Sequence, residues 1–407
     1  MTFRKAVILW PLVTVSGLAA KASGVKASAA RSAKASAARS AKASAARSGR
    51  RKITYGGEVI QARTRDAVLE LAQRCPSSLD VVKLLRRLVQ LSPRNDDDDT
   101  IRTDVRLHTC LRALDVTTLA PDDLADMLWA CAMLERPLQR SEVSVGTLVA
   151  AFDARAMEME LHAAGMAAWA WDSLLGGTPA PEALIARAAP LPFRVHIGAI
   201  DPTLLSLEAL LAESAPRRDE IRSGSTEFTH AVVPESRLTA WQSDVNAPFT
   251  YSGKDMPPRV GEAEGAGMSP RIAQIRDELA RSGRLERHYD SVLVNYYGGG
   301  KCGMRFHADP GQGDDGGWGY STCVVSTGAC RQFVFRRTGE PSQRCTFALR
   351  TGDVVEMYGR CQQDYQHSVK VEDSEEAAGP RISLVYKRRL ERERALMATE
   401  RPDVGAV

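Results

Sequence analysis

Four residues in the C-terminal part of the chain have the types and spacing of a metal site with a nearby anion ligand. They are His307, Asp309, His367 and Arg381. Two imidazoles and one carboxylate can occupy one face of an Fe(II) ion and leave three positions open for a cosubstrate and O₂. The arginine offers a planar fork of donors to the far carboxylate of such a cosubstrate. This set therefore indicates a mononuclear iron oxygenase that uses a keto-diacid.

Strands are the elements that would bring these residues together. His307 and Asp309 are two positions apart, so on a strand both side chains project from the same face of a sheet. His367 follows much later and must come from another strand of a folded-over sheet. The H-x-D…H pattern alone is weak, because a single His or Asp in a β-rich region is most often a structural or surface residue.

The surrounding residues have the pattern of a β-rich domain. Short β-branched or aromatic runs alternate with Gly-rich or polar turns. These runs are residues 291–297, 322–327, 332–336, 345–350, 353–358 and 381–387. Short strands at this density predict two packed antiparallel sheets, a jelly roll.

Several short segments, in order along the chain, resemble the motifs of the AlkB family. They are 295–297 (Asn-Tyr-Tyr), 307–309 (His-x-Asp), 328–336 (Gly-Ala-Cys-Arg-Gln-Phe-Val-Phe-Arg), 352–354 (Gly-Asp-Val), 366–368 (Gln-His-Ser), 380–381 (Pro-Arg) and an upstream run at 237–254. The resemblance covers about residues 228–390. Members of this family are Fe(II)- and 2-oxoglutarate-dependent dioxygenases with a double-stranded β-helix that remove alkyl groups from nucleic-acid bases.

The resemblance implies Fe(II) as the metal, with 2-oxoglutarate and O₂ as cosubstrates. Iron would be held by the catalytic residues His307, Asp309 and His367. 2-Oxoglutarate would be consumed to succinate and CO₂ while an N-methyl or other N-alkyl carbon is hydroxylated, and formaldehyde would then leave the repaired base. The expected enzyme is an oxidoreductase, an oxidative demethylase of DNA or RNA bases, as in DNA repair.

The resemblance also implies that Asn295, Tyr297, Arg381 and Lys387 bind the cosubstrate. Asn295 and Tyr297 share a strand face, and an amide and a phenol inside a barrel need polar partners, which a cosubstrate carboxylate would supply. Without the resemblance, a buried tyrosine bonded to a backbone carbonyl is the default. Lys387 stands where the family usually has arginine. It lies about 20 Å beyond Arg381 on an extended strand, so it could contribute only if the strand bends.

The upstream run fits the family's substrate-binding lid. An alkylated base must be flipped into the pocket and stacked between flat side chains, for which Tyr251 and the His307 ring are candidates. Phe249 and Ser252 would line the lid, and Arg237 would meet a phosphate or a base. The alternative for the lid residues is a β-hairpin that only packs.

The segment after Asp309 leaves the substrate open. DNA-repairing members often have two further acidic residues directly after the H-x-D motif. Here a Pro-Gly-Gln-Gly stretch intervenes before Asp314 and Asp315. The sequence therefore does not decide between DNA and RNA.

Composition and charge limit the number of domains, the compartment and the kinds of partner that the chain can have. Its 407 residues are enough for two domains plus extensions. The eight cysteines form no C-x-x-C pair and no zinc spacing, which indicates free thiols in a reducing compartment. Residues 1–57 hold 12 Lys and Arg and no acid, so removing them from the net charge of +4 leaves −8 for the rest. Nucleic acid would have to bind a local basic patch, not a global field.

Residues 1–57 are predicted to be a targeting leader. Residues 6–20 are mostly apolar, too short for a membrane span and typical of a signal-peptide core. An octapeptide repeat rich in Ala, Ser, Arg and Lys follows at 26–49 and is typical of a transit peptide. The leader predicts a plastid or mitochondrial location without a stable membrane anchor. The alternative is a basic tail that binds phosphates non-specifically in a nuclear protein.

Residues 58–192 have helical periodicity and predict an all-α domain. Trp129 and Trp169 lie in similar Ala-rich stretches, which resemble the Trp-Ala helical repeats of organellar RNA-binding proteins. The alternative is an ordinary helical domain with both tryptophans in its core. The four aspartates at 96–99 are expected to form a solvated loop, and the Gly- and Pro-rich residues 176–195 a linker.

The prediction for the whole chain is an α+β multidomain protein and a monomer. Its parts are the leader 1–57, the helical domain 58–192, the AlkB-like dioxygenase domain 196–391 with its double-stranded β-helix, and a tail 392–407. Its partner would be alkylated DNA or RNA. Two alternatives stay open: a dioxygenase of the same fold acting on a protein side chain, and an RNA-binding repeat protein whose oxygenase domain is a scaffold. The intact iron and carboxylate ligands argue against the scaffold.

Overall fold

The computed structural model describes residues 54–92, 100–136, 138, 142–223, 231–281, 288–310 and 317–391. The leader up to residue 53, the aspartate run 96–99, the acidic pair at 314–315 and the tail 392–407 lie outside these residues. Within them, helices come first and antiparallel sheets follow, which confirms the α+β class. None of the described helices is long and apolar enough to cross a membrane.

The helices begin in the segment that was predicted to be all-α. They are α1 (Tyr55–Gln61), α2 (Arg65–Ala72), α3 (Ser78–Leu91), α4 (Thr100–Thr103), α5 (Val105–Arg112), α6 (Pro121–Met133), α7 (Val145–Arg155), α8 (Leu161–Leu174), α9 (Glu182–Ala188), α10 (Leu207–Ser214), α11 (Pro270–Arg281) and α12 (Cys361–Asp364). At α3 the Ser77 hydroxyl accepts a hydrogen bond from the Asp80 amide and caps the first turn. Val81, Leu85 and Leu88 then recur at helical spacing and are buried.

The strands occupy the remainder of the described chain. They are β1 (Phe193–His196), β2 (Glu220–Ser223), β3 (Ala231–Pro234), β4 (Leu238–Ser243), β5 (Phe249–Tyr251), β6 (Lys254–Met256), β7 (Arg259–Val260), β8 (Ala263–Glu264), β9 (Ser291–Tyr297), β10 (Met304–His307), β11 (Thr322–Gly328), β12 (Arg331–Arg337), β13 (Glu340–Leu349), β14 (Val354–Met357), β15 (Tyr365–Val369) and β16 (Arg381–Lys387). A six-stranded sheet has the order β1-β14-β11-β16-β9-β4, and a four-stranded sheet has the order β10-β15-β12-β13. The pairs in both sheets are antiparallel.

The two larger sheets face each other across an apolar core. Phe193 of β1 stacks on Phe335 of β12 with the ring centroids 3.8 Å apart. The other face of the six-stranded sheet is covered by α10 and α11, through residues such as Leu210 and Ile275. Strands β9, β11 and β16 are therefore buried on both faces, which is why their sequences are nearly continuous apolar runs.

The helical segment packs against the free edge of β13. The Trp129 indole N–H donates to Thr346 O at 2.8 Å, and the Thr346 amide lies 3.4 Å from Met166 Sδ. The Trp169 ring meets Phe347 edge-on at 5.6 Å. An uncovered edge strand would offer its backbone groups to other chains, so these contacts protect it. Both tryptophans that resembled an RNA-binding repeat are thus used in packing, as in an ordinary helical domain.

Residues 176–195 do not form the predicted linker. They contain α9 and the start of β1, and Leu184 and Phe193 are buried. Pro181 precedes the first turn of α9, where the missing amide proton is not needed for a helical bond. The proline marks the start of an element and does not loosen the chain.

Candidate active site

The three residues predicted to bind iron come together at two neighbouring strands. His307 ends β10 and lies opposite His367 of β15 in the antiparallel register. The Nε2 atoms of His307 and His367 lie 3.5 Å and 3.6 Å from Asp309 Oδ1, and the ligand atoms of all three lie within 4.8 Å of one another. Asp309 is not on the strand as predicted, because β10 ends at His307 and Pro310 cannot donate to a ladder. The cluster offers two nitrogens and one oxygen to one metal ion.

Both histidines are prepared for metal binding. His307 Nδ1 lies 2.9 Å from Arg305 O. Because a carbonyl oxygen only accepts, Nδ1 carries the proton and Nε2 keeps its lone pair for a metal. Burial, and then the neighbouring His307, lower the pKa of His367 to about 3, so this ring is neutral at physiological pH. Phe333 stacks on it with a centroid distance of 5.5 Å and holds its plane.

Lys387 has a different role from the predicted one. Its Nζ lies 3.0 Å from Asp309 Oδ2, the carboxylate oxygen that does not face the histidines. Burial would raise the pKa of Asp309, but the Lys387 ammonium and the two imidazoles outweigh it and hold this pKa well below its usual range. Strand β16 pairs with β9 without a register shift, so it does not bend to bring Lys387 to Arg381. The lysine therefore orients an iron ligand, and its predicted part in binding the cosubstrate stays a prediction.

Arg381 is a buried guanidinium with unused donors. Its side chain is 1% exposed, and Nη2 donates to Ser326 Oγ at 2.9 Å. Nε and Nη1 have no hydrogen-bond partner among the described residues. Buried charged donors without partners are costly, and a carboxylate would satisfy them with short, charge-assisted bonds. Arg381 therefore fits the far carboxylate of 2-oxoglutarate.

Asn295 and Tyr297 of β9 lie opposite Ser383 and Arg381 of β16. Asn295 Oδ1 accepts from Arg237 Nε at 2.7 Å, and Asn295 Nδ2 lies 3.3 Å from Ser383 Oγ. Arg237 and Ser383 thus give each polar atom of this amide a partner, and its predicted part in binding the cosubstrate stays a prediction. The centroid of the buried Tyr297 ring lies 5.3 Å from Arg381 Cζ, so the phenol is next to the guanidinium.

A buried carboxylate, Glu235, connects the lid to the strand that carries Asn295. It is 1% exposed and accepts a hydrogen bond from the Tyr251 hydroxyl at 2.8 Å. It also pairs with Arg237 at 2.9 Å and with Lys254 at 3.3 Å. Arg237 is therefore buried and paired with an acid, and its predicted contact with a phosphate or a base stays a prediction. Sequence reasoning missed Glu235, because only the folded hairpin brings its partners together.

The iron ligands and the lid line one cavity of about 490 Å³. Of the predicted site residues, its wall contains Arg237, Phe249, Tyr251, Ser252, Asn295, Tyr297, His307, Asp309 and His367. Arg381 and Lys387 are not in this wall, but Tyr297, which is, lies next to Arg381. Wall residues that sequence reasoning missed include Met304, Tyr320, Gln362 and Ser383. Of these, Gln362 Oε1 accepts a hydrogen bond from the Asp309 backbone amide at 2.9 Å and thereby fixes the backbone at this iron ligand.

The hairpin β5–β6 presents the predicted substrate residues to the cavity. Ser252 and Gly253 form its turn, with φ of 48° and 71°, as a tight two-residue hairpin turn requires. Phe249 is 2% exposed and stacks on Trp241 at 4.6 Å, so it anchors the hairpin in the core. Tyr251 is half-buried and forms part of the cavity wall. Phe249 is thus held by core packing although it also lines the cavity, and Tyr251 has a surface that a ligand can contact.

Comparison with known proteins assigns the domain. Residues 206–387 match the 2OG-Fe(II) oxygenase superfamily. The chain is similar to "Uncharacterized protein R406" of Acanthamoeba polyphaga mimivirus, with 29% identity over 196 residues that cover 48% of this chain and 93% of the viral protein. It is also similar to the solved structure of OsALKBH1, with 13% identity and a TM-score of 0.33, over 48% of this chain and 98% of that chain.

The matched residues include the whole His307, Asp309 and His367 cluster and the unpaired guanidinium of Arg381. When bound, Fe(II) and 2-oxoglutarate supply an oxidation by O₂ that no amino-acid side chain can perform. The motifs and the family match agree on the class of enzyme. Residues 206–387 therefore form a domain of the 2OG-Fe(II) oxygenase superfamily, a dioxygenase that uses Fe(II), 2-oxoglutarate and O₂.

Proposed function

We propose that the dioxygenase domain removes N-alkyl groups, such as methyl, from nucleic-acid bases in DNA or RNA. The observation that carries this proposal is a cavity that joins the iron ligands to aromatic side chains, with His307, Tyr251 and Tyr320 in one wall. A flipped base is held by stacking between flat side chains. A volume of about 490 Å³ is within the range of small-ligand pockets. The AlkB-like motifs favour the same class of substrate.

The residues around the cavity would divide the work of this reaction. Lys387 keeps the Asp309 carboxylate ionised and turned toward the metal site. Arg381 would hold the far carboxylate of 2-oxoglutarate. The Tyr251 ring, held through its hydroxyl by Glu235, would stack on the base and bring its N-alkyl carbon toward the iron ligands. Positioning of this kind is the contribution of the protein, while the oxidation belongs to the metal and cosubstrate.

We also propose the finer fold and the domain boundaries. Two facing antiparallel sheets, with His307 and His367 on one of them, support a double-stranded β-helix (jelly roll) for residues 196–391. The helices of residues 58–192 then form a domain packed on the edge of this fold. A monomer is the proposed state, and size-exclusion chromatography with light scattering tests it.

The test of the enzymatic proposal is product release by the full-length protein with Fe(II) and 2-oxoglutarate. Oligonucleotides that carry N1-methyladenine, N3-methylcytosine or N6-methyladenine would be supplied as DNA and as RNA. Succinate, formaldehyde and the remaining methylated base are measured, with His307→Ala as the control. Succinate coupled to the loss of one methylated base, and absent from the control, is the expected result and names the substrate.

Other outcomes of this assay would assign other functions. Succinate release without loss of any methylated base would favour a dioxygenase that acts on a protein side chain. Iron binding without any consumption of 2-oxoglutarate would contradict the proposal and favour an RNA-binding protein with a scaffold domain. The oligonucleotide series therefore separates the three functions in one experiment.

We further propose that residues 1–57 direct the chain to a plastid or a mitochondrion. Their support is an acid-free, basic composition with an apolar stretch followed by a repeat rich in Ala, Ser, Arg and Lys. A fusion of residues 1–57 to a fluorescent protein would report the compartment. Accumulation in the nucleus would support the basic-tail alternative.

A further inference from the structure

The outer face of the four-stranded sheet carries a cluster of cations. Arg336 of β12 lies directly opposite Arg344 of β13 in the register, and Lys370 follows β15. Side chains alternate along a strand, so Arg336 points away from the core in which its neighbour Phe335 is buried. We call Phe306, Arg336, Arg344 and Lys370 the basic face.

The aromatic ring of Phe306, on the edge strand β10, lies next to two cations of the basic face. Arg336 Cζ is 4.0 Å and Lys370 Nζ is 4.5 Å from the centroid of the Phe306 ring. Both distances are within the range of cation–π attraction. The ring therefore helps to hold two like charges close together on an open surface.

The positive charge of the basic face is not neutralised. Neither Arg336, Arg344 nor Lys370 forms an ion pair with an acid of the described chain. The nearby acid Glu340 pairs with Arg337. Burial, followed by Arg344 and Arg336, lowers the pKa of Lys370, which agrees with repulsion among unpaired cations. A cluster of this kind, on a chain body that is acidic overall, is suited to a bound polyanion.

We propose that the basic face binds the phosphates of a single-stranded nucleic acid. Phosphates are the anions that Arg and Lys clusters bind along a strand. A guanidinium plane can also stack on unpaired bases, whose faces a duplex would hide. The occupant is therefore single-stranded DNA or RNA.

The position of the basic face relates it to the cavity. Phe306 and His307 are consecutive residues of β10, yet Phe306 belongs to the basic face and His307 lines the cavity. Strand β10 is also the edge strand of its sheet. A strand whose base occupies the cavity can therefore pass over this edge and continue along the basic face. This link rests on the proposed function, whereas binding of the strand to the basic face does not.

The first test measures binding with matched charge variants of the full-length protein. The test variant is Arg336→Gln, Arg344→Gln and Lys370→Gln. The control is Arg74→Gln, Arg86→Gln and Arg281→Gln, which loses the same charge from exposed arginines paired with acids. Fluorescence anisotropy with an unmodified single-stranded oligodeoxynucleotide gives Kd over a series of salt concentrations. The basic leader is the same in all proteins, so differences between variants report the substituted positions.

The test variant is expected to bind more weakly and with less dependence on salt. Each phosphate contact on a single strand contributes about 0.7 to the slope of log Kd against log salt, so three lost contacts lower the slope by about 2. The control is expected to keep the wild-type slope. Equal slopes for the two variants would overturn the proposal, as would the absence of binding by the wild type.

The second test locates the strand on the surface. Lysines are acetylated with and without the same oligodeoxynucleotide, and the modified sites are identified by mass spectrometry. Lys370 is expected to be protected, while Lys83, on the helical segment and 43% exposed, is expected to react equally in both samples. Equal acetylation of Lys370 with and without the oligodeoxynucleotide would overturn the proposal.

The two tests separate this inference from the dealkylase proposal. The probe is unmodified, so binding through the basic face can be established even if no methylated base is turned over. Conversely, a dealkylase whose basic face gives no protection at Lys370 keeps its proposed function and loses this inference. Poly-glutamate that binds at Lys370 where the oligodeoxynucleotide does not would assign the face to an acidic protein and overturn the proposal.

Discussion

The Arg237 guanidinium donates to Asn295 at 2.7 Å and thereby joins the network of the hairpin β5–β6 to strand β9, which carries two of the predicted cosubstrate residues. The same guanidinium pairs with Glu235, which holds the Tyr251 hydroxyl of the lid hairpin. These hydrogen bonds and ion pairs join charged or polar groups in the interior, where each group fixes the geometry of the next. The position of the Tyr251 ring and that of the Asn295 amide are therefore connected through one buried arginine, Arg237.

Replacement of Glu235 by glutamine tests this connection. The amide keeps the shape of the side chain but removes the negative charge that pairs with Arg237 and Lys254. Loss of one member of a buried charged network costs about 3 kcal/mol or more, so urea unfolding should give a lower free energy of unfolding. We expect KM to rise for both 2-oxoglutarate and the methylated oligonucleotide, as measured by steady-state succinate release.

The matched control is Asp255→Asn on the same hairpin. Asp255 is exposed and accepts a hydrogen bond from Thr250 at 2.6 Å, so its charge can be removed without touching the buried network. Neither KM should change in this variant. A Glu235→Gln enzyme whose KM rises for the oligonucleotide alone would contradict a connection to the cosubstrate site.

Arg381→Gln tests the binding of the far carboxylate. The variant removes the Nε and Nη1 donors that lack a partner in the structure. Hydrogen bonds to a charged group contribute about 1.5 to 3 kcal/mol, so Kd for 2-oxoglutarate should rise by about 10- to 150-fold. Calorimetric titration of the Fe(II)-loaded protein with 2-oxoglutarate, without O₂, measures this change.

Ser326→Ala is the control for Arg381. It removes the hydroxyl that accepts from Nη2 at 2.9 Å but leaves the whole guanidinium in place. Its effect on Kd for 2-oxoglutarate should be small. An effect as large as that of Arg381→Gln would mean that the arginine acts through local packing and not through a direct contact.

Residue type and spacing were enough to predict the iron ligands, because two imidazoles and a carboxylate are recognisable without knowing the fold. The runs of β-branched residues likewise predicted the strands at 291–297 and 381–387, since burial on both faces leaves a pattern in the sequence. The role of Lys387 was not predictable in this way. Its partner Asp309 is set by the register of β16 against its neighbours, which a single sequence does not encode locally.

The environment of Arg237 was also not predictable from the sequence alone. A positive residue in a nucleic-acid enzyme suggests a phosphate contact when only its charge is considered. The structure pairs it with Glu235, two positions earlier, because both side chains turn into the interior beside the hairpin β5–β6. Whether a charge is free or neutralised depends on tertiary packing, which the sequence around Arg237 does not reveal.

Lys387→Met tests how the lysine supports the metal site. Burial raises the pKa of Asp309, and the Lys387 ammonium is the group that lowers it most. Removing the ammonium should therefore raise this pKa. The carboxylate must be ionised to bind metal, and the acid limit of Fe(II) binding should therefore move to higher pH. Loss of a residue that orients a ligand also weakens metal affinity by about 10- to 100-fold.

Metal titrations across a pH series measure both effects of Lys387→Met. Lys387→Arg is the control, since it keeps a cation that can bond to Asp309 Oδ2. It should retain an Fe(II) affinity close to that of the wild type. A Lys387→Met protein with unchanged affinity and an unchanged acid limit would show that the 3.0 Å contact does not matter for the metal.

Trp129→Phe tests whether the helices and the sheets unfold as one unit. The variant leaves Thr346 O without the indole donor at the edge of β13, and an unsatisfied buried carbonyl costs about 1 to 3 kcal/mol. One apolar core includes helical residues such as Leu128 and sheet residues such as Phe347, so a loss at their boundary should weaken both parts. Far-UV circular dichroism, which follows the helices, and 2-oxoglutarate binding, which follows the sheets, should lose signal at the same urea concentration, lower than in the wild type. Loss of the helical signal while 2-oxoglutarate still binds would mean that the two parts fold independently.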